Sequence, residues 1–363
     1  MIDFVPLEYY YPLYMNGALA IVLFTMLHTL ILPIDDKRNI RYIQFIGFLL
    51  LGFLIFYIGL RPVSGRYFID MRTYARHYEY YLSDGPILVD KDVVFHMFMK
   101  FCSTFLPIHG FFLLCAFIYI YPMYRISKVF FKEYWFYSFL MLAISFSFWT
   151  YGVNGIRNGM ATSLFLMAIS YQNNKVAQVS FFVLASLFHK TLLLPIFAYI
   201  AATFYNKPKI YLMGWLAAIP LSIALGGFWE SLFASLGFAD NRLGGYLTGG
   251  GEGMGKTGFR YDFLLYSAFA VFAGWYFILK RKFEDEVYQK IFNVYVIANA
   301  FWILVIRANF SNRFAYLSWF LMAIVIVYPF LKRKFYKNHH VMLGRVVFLY
   351  FGFTYFMYYI YYG

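Results

Sequence analysis

Charge is scarce in this chain. Asp, Glu, Lys and Arg make up 13% of its 363 residues, about half the share found in soluble globular domains. A solvated surface of the usual extent is therefore excluded. Cysteine is nearly missing as well. Cys102 and Cys115 are the two present; they give no disulfide framework, and Cys115 sits in an apolar run as a small filler. No His-Glu-x-x-His spacing occurs, and His77, His96 and His109 form no recognisable ligand set with His189. No metal, no other cofactor and no nucleic-acid partner is expected.

Apolar residues fill the space that charge leaves. They amount to 62% of the chain and come in long unbroken runs, such as Leu13 to Leu32, Tyr42 to Leu60, Ile108 to Tyr124 and Tyr134 to Thr150. Each run approaches the ~20 residues a helix needs to cross a bilayer core of roughly 30 Å. The first run lacks a basic leader and a small-residue cleavage site and reads as a retained span. The expected fold is all-α and polytopic in the lipid bilayer, with residues 1–363 forming a single integral membrane domain.

Lysine and arginine set the expected topology. If the basic connectors all face the cytoplasm, about twelve spans result. The larger outer loops are then 61–107 and 228–261. One segment resists the alternation: Asp90 to Leu106 is apolar but short, and Lys100 lies inside it. It reads as an outward-facing interfacial or re-entrant helix near 90–106.

Two sequence signals invite functional readings. In "GGGEGMGKTG", Gly249 to Gly258, the residues from Gly250 to Thr257 match the phosphate-binding loop pattern. That pattern works only between a strand and a helix, and here it falls in an outer loop between spans, so it reads as a glycine-rich loop. The second signal is the sorting of basic residues. The inner set has twelve Lys and six Arg, whereas the outer set has four Lys and nine Arg. Arginine is favoured where a planar, permanently charged fork must hold a phosphate or carboxylate. An outward-facing site for an anionic ligand follows.

Particular residues sharpen that site. In "GVNGIRNGMATSLFLMAIS", Gly152 to Ser170, a helix begins near Gly155 and carries Arg157 in its first turn. Free N–H groups, the helix dipole and a guanidinium together favour a phosphate there. Gly155, Gly159 and Ser163 recur at four-residue spacing, as on a close-packing face. In "ASLFHKTLLLP", His189 ends a span on the same side, as a general base or a hydrogen-bonded structural histidine. The pair Asp90 and Asp92 forms a D-x-D, which reads as the N-cap of the following helix rather than a cation site.

The run "IRNGMATSLFLMAISYQNNKVAQVSFFVLASLFHKTLLLPIFAYI" resembles the core of the EpsG family, a branch of the Wzy-type polysaccharide polymerases. The segments "GLRPVSGRYFIDMRTYARHY" and "NRFAYLSWF" resemble its first outer loop and a late span entry. Asn158 stands where that family usually has Gln. The resemblance implies a polymerase acting at the outer face of the bacterial inner membrane. An acceptor glycan hydroxyl attacks the anomeric carbon of a donor, and undecaprenyl pyrophosphate leaves. The donor and acceptor are both undecaprenyl-pyrophosphate-linked oligosaccharides, and a chain-length regulator protein is a further expected partner.

On that reading Arg157 and Arg313 hold the pyrophosphate, with Arg61 and Arg307 as helpers. His189 or Asp70 serves as base, although Arg66 and Arg72 flank Asp70 and leave an ion-pair role open. Tyr74 and Tyr246 line the glycan path. Two rivals use the same lipid. A flippase needs ionisable groups near mid-membrane and often an internal repeat, which the sequence lacks. An O-antigen ligase differs mainly in its acceptor, and the order of motifs favours the polymerase.

Overall fold

The computed structural model describes residues 2–87, 92–233, 258–308 and 311–362, with side chains to residue 360. Every regular element among them is helical, and none is a strand. A chain with few polar side chains and long apolar runs has little alternative, because a helix satisfies its own backbone groups in an apolar medium. In chain order the helices are α1 (Tyr10–Ile31), α2 (Lys37–Gly59), α3 (Ile69–Leu82), α4 (Val93–Ser103), α5 (Ile108–Phe131), α6 (Trp135–Ala143), α7 (Phe148–Val153) and α8 (Ile156–Ser170). They continue as α9 (Lys175–Phe188), α10 (Leu193–Phe204), α11 (Pro208–Phe233), α12 (Tyr261–Gly274), α13 (Glu286–Leu304), α14 (Asn312–Lys332) and α15 (His339–Tyr362). Side-chain caps set several starts. Asp36 accepts from the Arg38 amide at α2, Asn174 from Ala177 at α9, and Asp285 from Tyr288 at α13.

The protein is a multi-pass membrane protein, but about twelve spans is too many. Among the described residues seven helical stretches are long and apolar enough to cross alone: 7–31, 37–59, 108–143, 208–233, 261–280, 312–332 and 339–360. The difference lies chiefly between residues 134 and 204. The run Tyr134 to Thr150 breaks there into α6 and α7, of 9 and 6 residues, and the helices that follow, α8 to α10, have only 15, 14 and 12. At 1.5 Å per residue even the longest of these reaches only about 22 Å. Apolar composition reports the medium; it does not report where the helix stops. Helix α4 has 11 residues, about 16 Å of rise, and is likewise too short to cross.

The residues form two compact units, the first made of residues 1–192 with 330–363 and the second of Leu193–Pro329. In the first of the chain's units, α1 and α15 run antiparallel, with Tyr355 donating to Asn16 at 3.1 Å near one end. Helices α2 and α5 also run antiparallel and approach closely at Gly59, while α5 and α8 run parallel, joined where the Ser163 hydroxyl donates to the Tyr119 carbonyl at 2.5 Å. The small-residue face of α8 packs as its spacing suggests, since a Cβ at Gly159 would meet the Tyr119 ring 3.1 Å away.

Between α6 and α7 the helix breaks at residues 144–147, and side chains from three neighbours donate to carbonyls at and beside the break. Tyr14 of α1 donates to Ala143 O at 2.6 Å, Thr354 of α15 to Ile144 O at 3.1 Å, and Tyr119 of α5 to Phe148 O at 2.9 Å. The break is thus a bonded feature of the interior.

In the Leu193–Pro329 unit, α11 kinks at Leu225, where φ is −130° and ψ is 29°. A polar chain crosses this unit. Trp215 Nε1 donates to Asn299 Oδ1 at 2.7 Å, Asn299 Nδ2 to Ser318 Oγ at 2.9 Å, and Trp319 Nε1 to Ser267 Oγ at 2.7 Å. The chain fixes the mutual rotation of α11 to α14 where apolar packing alone would leave it loose.

Gly59 and Gly52 on α2 give a paired test. A Cβ at Gly59 would stand 2.8 Å from the Leu113 Cα, whereas one at Gly52 meets nothing within 4 Å. Gly59→Val should destabilise the protein by about 1–3 kcal/mol and Gly52→Ala should not. Thermal unfolding of both variants in detergent checks this; equal melting temperatures would show that α2 and α5 separate freely.

Candidate functional site

One end of the first unit collects most of the residues singled out by sequence. There α2 ends, α5 and α8 begin, α9 ends, and α3 and α4 lie across them. Tyr78 of α3 stacks on Phe111 with ring centres 4.8 Å apart and donates to Leu106 O at 2.7 Å. Phe95 and Phe98 of α4 meet Phe188 of α9 at 6.0 and 5.6 Å. Lys100, awkward in an apolar segment, turns toward the α3 end, lying 3.4 Å from Asp84 and donating to Gly85 O at 3.1 Å.

Arg157 sits in the first turn of α8. Its guanidinium pairs with the Asp92 carboxylate, and both side chains are mostly covered, 24% and 16% exposed. Asp92 holds the N-cap position expected from sequence, but its side chain does not cap the helix. It precedes α4 with φ of 54° and makes no side-chain bond to the helix amides, because its carboxylate is committed to Arg157. Asp90, its D-x-D partner, lies outside the described residues, as do Tyr246 and the "GGGEGMGKTG" match up to Thr257.

Tyr74 lies beside this pair. Its ring is 5.6 Å from Phe95. Burial pushes its hydroxyl up to about 12, Arg157 pulls it down, and Asp70 raises it. Asp70 is exposed, one helical turn before Tyr74, and pairs with neither Arg66 nor Arg72. His189 stands at the C-terminal end of α9, half-buried, with Nδ1 2.6 Å from the Thr191 hydroxyl. Helices α8 and α9 form an antiparallel hairpin, shown by Phe165 on Phe182 at 5.0 Å and Gln178 Nε2 donating to Ala168 O at 3.4 Å. Carried on, that register brings Arg157 level with His189.

Arg61 does something different. It is 1% exposed, donates to Ile58 O and, at 2.9 Å, to Val153 O, and lies between the Phe68 and Phe112 rings at 5.4 and 5.6 Å. Two carbonyls and two aromatic faces compensate the charge with no carboxylate. Burial pushes the group down to about 9, which leaves it cationic at neutral pH. Arg61 ties the end of α2 to the end of α7 and so sets where α8 begins. Arg307 and Arg313 belong to the Leu193–Pro329 unit, and both are exposed. Arg307 donates to Ile223 O at 3.3 Å, beside the α11 kink.

Sequence reasoning missed a buried group at this end. His96 of α4 is 8% exposed; its Nδ1 lies 2.9 Å from the Tyr81 hydroxyl and its ring centre is 5.1 Å from that of His77. The available signal was its place among the apolar residues of the Asp90 to Leu106 segment. Several buried polar atoms have no partner here: Nε of Arg61 and Arg157, Oδ1 of Asn154 and Asn158, and Nδ1 of His109. The described residues hold no group of three or more His, Cys, Asp or Glu that could bind a metal ion.

The model of the EpsG family matches residues 44–363 of this chain. No curated protein and no solved structure matches it.

His96 yields a pH prediction. Burial, then His77 and then Arg157 push it down to about 4, against about 6.5 for a free imidazole. The unfolded chain takes up a proton first, so stability should fall as pH drops from about 6.5 toward 4, at up to about 1.4 kcal/mol per pH unit. Melting temperatures in detergent between pH 7 and 4.5 should fall more for wild type than for His96→Asn. Parallel curves would mean that His96 does not titrate in this window.

Proposed function

This chain belongs to the EpsG family, which is linked to exopolysaccharide biosynthesis, and on that footing we propose that it is a Wzy-type polysaccharide polymerase. It joins undecaprenyl-pyrophosphate-linked oligosaccharide repeat units at the outer face of the bacterial inner membrane, with a chain-length regulator as partner. The observation that carries this reading is Arg157 in the first turn of α8, at the end where Tyr74 and His189 also lie.

The chemistry asked of such a site is glycosyl transfer to a hydroxyl. The acceptor oxygen attacks the anomeric carbon of the donor, the bond from that carbon to the diphosphate oxygen breaks, and undecaprenyl pyrophosphate leaves with the electron pair. The proton of the hydroxyl passes to a base, His189 or Asp70. Negative charge grows on the leaving diphosphate, and a guanidinium fixed in the first turn of a helix stabilises it more as the bond breaks. The anomeric phosphate bond supplies the driving force, so the reaction consumes no ATP. Tyr74 offers an aromatic face on which a sugar ring can stack. Arg61, with its donors on Ile58 and Val153 carbonyls, acts through the position of α8 and not on the diphosphate.

Purified protein mixed with a lipid-linked repeat unit and no ATP should produce a ladder of longer glycans. Arg157→Lys should slow the ladder by roughly 10²–10³-fold, the cost of losing one donor to the developing charge. His189→Ala should slow it by roughly 10²–10⁴-fold if the imidazole is the base. Normal ladders from both variants, each confirmed as inserted and folded, would remove the two residues from the reaction.

A further inference from the structure

The Arg157–Asp92 pair differs from the other ion pairs among the described residues. Arg38–Asp36 and Arg260–Asp262 join residues two apart in the chain, and Lys334–Asp35 and Lys100–Asp84 each include an exposed carboxylate. Arg157 and Asp92 lie 65 residues apart, and both side chains are mostly covered. Their meeting point is the first turn of α8, where the helix dipole and the guanidinium favour an anion. The Arg157 Nε is buried there without a partner. A single carboxylate thus leaves unused a donor that a phosphate, with more oxygens, could take up. The buried Oδ1 atoms of Asn154 and Asn158 in the same stretch also wait for donors, as the hydroxyls of a sugar next to a diphosphate would supply. Asp92 forgoes capping its own helix to make this contact.

We propose that Asp92 is the resident occupant of a diphosphate site on Arg157, an internal carboxylate that the substrate's phosphate displaces. The inference rests on the polymerase reading for the identity of the diphosphate. A half-buried guanidinium without a counter-ion is costly, and Asp92 removes that cost while the site is empty of substrate. Binding exchanges one anion for another, so Arg157 is never left unpaired. When the lipid diphosphate departs after transfer, Asp92 returns, and its competition aids release. No covalent bond is made or broken in the exchange. Its departure also unpins the start of α4.

The test follows from the sign. Inorganic pyrophosphate is titrated calorimetrically into the purified full chain in detergent. Asp92→Asn, which leaves the shape and removes the competing charge, should bind pyrophosphate about tenfold more tightly than wild type. Asp92→Glu should stay near wild type, and Arg157→Ala should lose binding. A purely structural ion pair predicts the reverse for Asp92→Asn, equal or weaker binding with a lower melting temperature, and that result overturns the proposal. Should Asp92→Asn fail to fold, hydrogen exchange on wild type decides: pyrophosphate should speed exchange in the first turn of α4, and unchanged or slower exchange there overturns the proposal. If wild type extends lipid-linked glycans while Asp92→Asn binds no more tightly, this inference alone falls. If Asp92→Asn binds more tightly but wild type makes no polymer, the anion site stands and the polymerase reading falls.

Discussion

Inside a bilayer every backbone N–H or C=O that a helix leaves open must find its partner within the protein. In the first unit that requirement is most demanding at residues 144–147, where α6 stops and α7 begins. Tyr14 and Thr354 reach the carbonyls of Ala143 and Ile144, and Tyr119 reaches Phe148 O just beyond, from three separate helices. Each hydroxyl thereby fixes the height of its own helix relative to the break. Helix α7 then ends at Val153, whose carbonyl is taken by Arg61, and the chain turns at once into α8. The position of Arg157 is set by this sequence of bonds.

The two arginines at this end show two ways to keep a guanidinium out of water. Arg61 is surrounded by carbonyls and aromatic rings, all fixed parts of the fold, so its surroundings cannot easily be exchanged for a ligand. Arg157 is neutralised by one carboxylate on a short helix that packs from the side. Aromatic contacts hold α4 against α9 and α5, while Asp92 at its start is held by charge. A charge pair can be traded for another charge pair at modest net cost, whereas a cage of packed rings cannot. The distinction makes Arg61 a fixed part of the fold and leaves Arg157 the arginine whose partner can be exchanged.

Much of this was legible in the sequence. The low charge and long apolar runs gave the helical membrane class, and the run from Ile156 to Ile200 carried the family resemblance that the match over residues 44–363 bears out. The glycine spacing on α8 led to its packing face. Hydropathy failed between residues 134 and 150 because Ile144, Ser145, Phe146 and Ser147 are apolar or small enough to read as helix, yet the helix breaks there. The partner of the Asp92 carboxylate was missed for a related reason. An aspartate before an apolar helix is usually a cap by local rules, and nothing local reports an arginine 65 residues away.

What the sequence determined by itself was the medium, the helical character and the kinds of group available to the site. Those depend on composition and on neighbours along the chain, where a residue's transfer free energy and helix propensity act locally. Tertiary structure alone decided where the run from Tyr134 to Thr150 breaks, and which arginine is caged and which is paired. Those outcomes depend on which carbonyls, rings and carboxylates meet across helices, and hydrogen bonds and ion pairs act only at the distances that packing brings about.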